Sequence, residues 1–187
     1  MKNKAMETRL TDELRTFIAS RRTLLLSTLD ENNHPYASYA PYALGENCIY
    51  VLLSDIALHG INLKNTPKAG ILIIEDEQEA QTIFARVRVN YQVTSTLIPI
   101  NAGAEYDTAI NCLYQKQGER IHNLRKLTDF NVFKLTPIGG RFVKDFGRAY
   151  AITGNTLVGE SIDHLKDGHK PRSSVINNLP SLNEGKQ

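Results

Sequence analysis

The chain has 187 residues, 41% apolar and 22% charged, a composition that supports one globular domain with a real core and excludes a disordered or fibrous chain. With 22 Lys and Arg against 20 Asp and Glu, the net charge of +2 is too near balance for nucleic acid or an acidic membrane to be the main partner. Two cysteines, Cys48 and Cys112, are too few for a disulfide scaffold or a thiolate metal cluster. The start is polar rather than an apolar signal core, and no run approaches the roughly 20 apolar residues of a membrane span. These features predict a cytoplasmic protein without membrane insertion.

Leu10, Leu14, Phe17 and Ile18 recur at helical spacing and predict an amphipathic helix over Leu10 to Ala19, with Thr11 as a cap for a first turn carrying Asp12 and Glu13. Thr23 to Leu29 and Tyr36 to Ala43, joined by the turn cluster Asp30-Glu31-Asn32-Asn33-His34-Pro35, read as a hairpin. Gly45-Glu46-Asn47 turns the chain into a strand over Cys48 to Leu53. Ile56, Leu58, Ile61 and Leu63 then predict a short crossing helix, weakened at Gly60 by about 1 kcal/mol. Ala69 to Ile74 is the next strand, ending in Glu75-Asp76-Glu77, and Ile83 to Val93 reads as one long alternating strand.

Ala102 to Lys126 is the longest helical segment, with a break near Gly118. Asp129 to Leu135 returns to period two, Pro137-Ile138-Gly139-Gly140 reads as a turn into Arg141 to Asp145, and an extended piece over Ala149 to Ile152 precedes a polar tail from about Gly154. Short strands joined by hairpin-length connections cannot make a doubly wound parallel sheet, whose crossovers need a dozen or more residues. The predicted fold is mainly β, an antiparallel barrel of six or seven strands with peripheral helices.

Dinucleotide, phosphate-loop, zincin and serine-hydrolase motifs are all absent from the sequence. In Phe84-Ala85-Arg86-Val87-Arg88-Val89-Asn90-Tyr91, period two sets Arg86, Arg88 and Asn90 on one face. Two guanidiniums so placed can clamp carboxylates or a phosphate, or form a solvated face balanced by Glu75, Asp76 and Glu77. His164 and His169, five apart in the tail, lack the spacing of a helical zinc pair; either can be a single axial ligand or a solvent-facing side chain. His59, beside Gly60, can line a pocket or serve structure, while His34 sits in a turn and His122 on a helix. Tyr36, Tyr39 and Tyr42 offer flat walls but differ in parity and cannot all face one cavity.

A set of segments in unbroken order carries a resemblance. These are Ser38-Tyr39-Ala40-Pro41, Tyr50-Val51-Leu52-Leu53-Ser54, Ile56-Ala57-Leu58-His59-Gly60-Ile61-Asn62-Leu63 and Ile74-Glu75-Asp76-Glu77. They continue in Phe84-Ala85-Arg86-Val87-Arg88, Gly118-Glu119-Arg120, Asp129-Phe130, Phe142-Val143-Lys144-Asp145-Phe146-Gly147-Arg148-Ala149-Tyr150 and Gly168-His169-Lys170. Over about residues 8 to 170 the chain resembles the haem-utilisation family of the HutZ/HugZ type, within the pyridoxamine-phosphate-oxidase-like split barrels that bind FMN.

The resemblance implies a split-barrel domain over 8–170 with a polar extension over 171–187, in a homodimer with ligand pockets at the subunit interface. It implies His169 as the proximal ligand to haem iron, Asp129 of the partner subunit as the group supporting that imidazole, and Arg88 beside the haem, with Arg86 and His59 as further cofactor-binding candidates. Haem-oxygenase-type chemistry follows from it, driven by an external electron donor and O2 and releasing iron. The alternatives are an FMN-dependent oxidoreductase, for which only Ser54 and Lys64 stand out as phosphate partners near the crossover, and a haem storage or transport protein without turnover. Asp145 stands where the family often carries glycine, and the chain runs on beyond His169 to Gln187.

Overall fold

The computed structural model describes residues 4–165. Helix α1 (Lys4–Ser20) leads into β1 (Thr23–Leu29), β2 (Pro35–Leu44) and β3 (Ile49–Ser54). Then come α2 (Leu58–Asn65), β4 (Lys68–Ile74), β5 (Arg88–Ile98), α3 (Ala104–Gln117), α4 (Arg120–Leu124), β6 (Phe130–Asp145), β7 (Arg148–Thr153) and β8 (Ser161–His164). All pairings are antiparallel, in the order β3-β2-β1-β4-β5-β6-β7-β8, and β3 also pairs with β6. That extra pairing closes the first six strands into a barrel and leaves β7 and β8 as an extension of one wall. The expected antiparallel barrel with peripheral helices is therefore the fold.

Alternation builds the core. Leu24 and Leu26 of β1, Ile71 and Ile73 of β4, and Val89, Tyr91 and Val93 of β5 point inward, while Arg88, Asn90 and Gln92 stand on the outer face. Strand β3 is buried on both sides: Ile49, Val51 and Leu53 face the barrel, and Tyr50 and Leu52 pack in a second cluster with Ile110 and Leu113 of α3. This explains its unbroken apolar run. Leu10, Leu14 and Ile18 of α1 join the barrel core, each buried side chain contributing about 1.5–3 kcal/mol. Tyr42 donates its hydroxyl proton to the carbonyl of Ile18, tying the end of that helix to β2.

Three local readings are corrected. The strand expected over Ile83 to Val93 begins only at Arg88, because Ile83–Ala85 is a 3-10 turn. Its cause is the acidic loop: the Arg86 guanidinium turns back to the carbonyl of Glu75, and the amide of Val87 donates to the Glu75 carboxylate at 3.0 Å. Pro137 to Gly140 is no turn but the middle of the 16-residue β6, which pairs with β5 through a bulge at Gln92/Val93. The glycine there serves close approach, since a Cβ on Gly140 would lie 2.3 Å from the carbonyl oxygen of Asn90. Finally, the segment read as polar tail contains β8, whose buried Ile162 supplies too little pattern to be noticed in sequence. The helix break at Gly118 is as expected; this glycine has φ +87° between α3 and α4.

Among the described residues, no helix is long and apolar enough to cross a membrane and no group of three or more His, Cys, Asp or Glu is placed to hold a metal ion.

Candidate functional site

The long β6 organises the candidate site. Its second half lies between β5 and β7, with Asn90 opposite Arg141, and Val143 opposite both Arg88 and Ala149. Directly opposed residues share a face, so this register brings Arg88, Asn90, Arg141, Val143 and Ala149 together on the outside of the barrel wall. They line a cleft of about 600 Å³, within the size range of ligand sites. Leu72 adds to its floor, and Phe84, Phe146 and Leu165 line it from the flanking loops and from the end of β8. Phe84 and Phe146 are 84% and 65% exposed, so two aromatic rings stand at the cleft with much of their apolar surface in water. Among the described residues, Asp145 is the only acidic group lining the cleft, against two guanidiniums. The cleft thus combines apolar side chains with a polar surface at least as large and a net cationic charge, and can take a flat ligand bearing carboxylates.

The two arginines of the Phe-Ala-Arg-Val-Arg segment have separate roles. Arg86 lies ahead of the strand, donates from Nε to the Glu75 carbonyl at 2.8 Å, pairs with Glu77 at 3.2 Å, and does not line the cleft. Arg88 does line it; its Nη1 donates to the carbonyl of Arg86 at 2.9 Å, and it makes no ion pair among the described residues. Arg141 is the cation that sequence reasoning missed, because reading Gly139-Gly140 as a turn left the phase of the following residues unassigned. Only its register against Asn90 identifies it.

His59 lies elsewhere on the surface. Its Nδ1 is hydrogen-bonded to Ser38 Oγ at 2.9 Å, and that hydroxyl also lies 3.3 Å from the carbonyl of Leu26. Burial pushes its pKa below the usual imidazole value. Ser38 lines a neighbouring hollow of about 630 Å³ that shares Leu72, Asn90 and Arg141 with the cleft.

Asp129 sits at the opposite end of β6, just before Phe130. Val143, the partner of Arg88, is thirteen residues beyond Phe130, roughly 43 Å of strand at 3.3 Å per residue. One protomer therefore does not bring Asp129 to the cleft. The carboxylate instead accepts a hydrogen bond from Ser54 Oγ at 2.6 Å, and its main-chain carbonyl accepts from the amide of Asp55 at 2.7 Å. Asn131 Nδ2 donates to Asp55 Oδ1 at 2.7 Å, and Lys64 pairs with that same oxygen at 2.6 Å. His169 lies outside the described residues, four beyond Leu165, whose amide bonds the carbonyl of Ala149 at 2.8 Å in the cleft wall.

Comparison with known proteins places this architecture. The pyridoxamine 5'-phosphate oxidase family profile matches residues 10–144. The chain is 36% identical over 179 residues to heme oxygenase HutZ of Vibrio cholerae, covering 93% of this chain and 97% of that protein. A crystal structure of Vibrio cholerae HutZ, described as a heme storage protein, superposes with a TM-score of 0.68 at 36% identity, over 72% of this chain and 94% of that one. Campylobacter jejuni ChuZ superposes with a TM-score of 0.78 at 28% identity, over 88% of this chain and 66% of that one. In sequence match and barrel alike, the chain belongs to the pyridoxamine 5'-phosphate oxidase family of split barrels, in its haem-utilisation branch of the HutZ type.

Proposed function

We propose that this chain binds haem in the cleft of Arg88 and Arg141 and degrades it oxidatively, with O2 and an external electron donor, to release iron. The observation that carries the reading is the cleft itself, where apolar side chains flank two guanidiniums free of ion pairs among the described residues, in a chain 36% identical to a heme oxygenase. Haem matches that chemistry: a flat apolar macrocycle with two carboxylate arms. Arg88 and Arg141 hold the carboxylates and orient the ring, while Phe84 and Phe146 cover its faces and exclude water. His169 would supply the imidazole that holds the iron. It lies four residues from Leu165, a reach of at most about 14 Å, so the cleft edge is within its range.

Bound haem supplies the redox chemistry, while the protein contributes ligation, orientation and local polarity. Asp129 of the partner subunit accepts the Nδ1 proton of His169, which fixes the ring and raises its donor strength. The site is consequently completed across a homodimer. Supporting this is the distance along β6 that keeps each chain's own Asp129 away from its own cleft.

The FMN alternative meets an obstacle at the crossover. Ser54 and Lys64, the hydroxyl and ammonium available there for a phosphate, are already committed to Asp129 and Asp55. A dianionic phosphate beside those two carboxylates would be repelled. Titration of the purified protein with haemin and, separately, with FMN tests the ligand class. Saturable haemin binding with a Soret band at one haem per chain is expected, with FMN at least about 100-fold weaker. Tight FMN binding without haemin binding would overturn the proposal.

A further inference from the structure

We propose that Ser54 is a positioning residue, holding one oxygen of the Asp129 carboxylate so that the other is presented to a donor on the partner subunit. The inference rests on the haem reading above and extends it to a residue with no contact to haem.

The hydrogen-bond polarity is fixed by the chain itself. Ser54 ends β3 opposite Phe130, and its Oγ accepts the amide proton of Ile56 at 3.1 Å. The single hydroxyl proton is therefore left for Asp129 Oδ2, 2.6 Å away, a distance in the range of charge-assisted O–H···O⁻ bonds. The backbone is pinned as well: the carbonyl of Asp129 accepts from the amide of Asp55 at 2.7 Å and from Asn131 Nδ2 at 3.3 Å. Together these contacts fix both the main chain and the rotation of the carboxylate.

The electrostatics of the cluster point the same way. Lys64, the cation nearest this network, pairs with Asp55 rather than Asp129, and Asn131 bonds that same Asp55 carboxylate. Asp129 thus makes no ion pair among the described residues, and its Oδ1 accepts no hydrogen bond there. The Ser54 hydroxyl engages only one oxygen of this half-buried carboxylate, and the second oxygen remains an open acceptor among the described residues. Under the dimeric reading its donor is the Nδ1–H of His169 of the partner subunit. Rotation of the carboxylate, which Ser54 prevents, would swing that acceptor away from the imidazole. Outer-shell partners of metal-bound histidines act in this way, by setting ring orientation and basicity.

The test uses the full-length haem-loaded protein carrying Ser54→Ala, Ser54→Thr or Asp129→Asn, and the Ser54→Ala/Asp129→Asn pair. The readouts are the ferrous iron–histidine stretching band, the ferric absorption spectrum and haem affinity, with thermal melting as a check on folding. Ser54→Ala is expected to move the iron–histidine band in the same direction as Asp129→Asn and to weaken haem binding by up to about tenfold, the low end for outer-shell partners. Ser54→Thr, which keeps the hydroxyl, is expected to restore the wild-type band. In the double variant the serine change should leave the iron–histidine band where Asp129→Asn puts it, since Ser54 acts on the imidazole only through the Asp129 charge. A wild-type band in Ser54→Ala alongside a shifted band in Asp129→Asn would overturn the role of Ser54 and leave the haem reading standing. Wild-type bands in both, with His169→Ala altered, would overturn the Asp129 partnership on which this inference rests.

Discussion

His169→Ala is expected to remove normal haem ligation, with a loss of affinity exceeding the roughly 10- to 100-fold typical of changes one shell further out, and a changed ferric spectrum. His164→Ala provides the matched control. His164 ends β8 opposite Tyr150 and packs edge-on against that ring at 5.1 Å between centroids. Tyr150 belongs to the core cluster beneath α1, whereas its neighbour Ala149 lines the cleft, so His164 stands on the opposite face of the extension from the cleft. Spectra and affinity in His164→Ala should therefore stay close to wild type. Unaltered binding in His169→Ala would assign the ligand elsewhere, and His59, whose Nδ1 is engaged by Ser38, is the next candidate.

Asp129→Asn is expected to reduce haem affinity or turnover by about 10- to 100-fold while leaving the fold and the dimer intact. The amide has nearly the size of the carboxylate, and its oxygen can still accept the Ser54 proton; what disappears is the charge that the proposal sets against the imidazole. Mixed dimers sharpen the test. In a heterodimer of an Asp129→Asn chain with a His169→Ala chain, His169 from the first and Asp129 from the second rebuild one intact site if the partnership crosses the interface. Half of wild-type haem binding with a wild-type spectrum is the expected result. A heterodimer without any wild-type site would place the pair within one chain.

The β1–β2 hairpin was legible in sequence because its information is local. Asp30 Oδ1 accepts the amides of Asn32 and His34, both at 2.8 Å, and Asn33 takes φ +62°, as turn chemistry anticipates. Helix α3 and its end at Gly118 were visible for the same reason. What stayed hidden is set by contacts between distant segments. Arg86 and Arg88 looked equivalent until the backward bond of Arg86 to Glu75 displaced the strand start by several residues. Arg141 was lost because Gly139 and Gly140, the second of which permits close passage of β5 and β6, carry the composition of a turn. Ser54 and Asp129 are 75 residues apart, and only the β3–β6 pairing that closes the barrel brings them together. The roles proposed for His169 and Asp129 rest on family resemblance; neither spacing nor periodicity marks either residue.

Haem capture and haem breakdown are separated most directly by a single-turnover reaction of the haem-loaded protein with a chemical reductant in air, following the Soret band together with ferrous iron trapped by a chelator. Loss of the Soret band with release of about one iron per haem, slowed in Asp129→Asn and Arg88→Ala, is the result expected of a haem-degrading enzyme. A Soret band that persists under reductant and oxygen, with no iron reaching the chelator, would contradict degradation and make this chain a haem carrier.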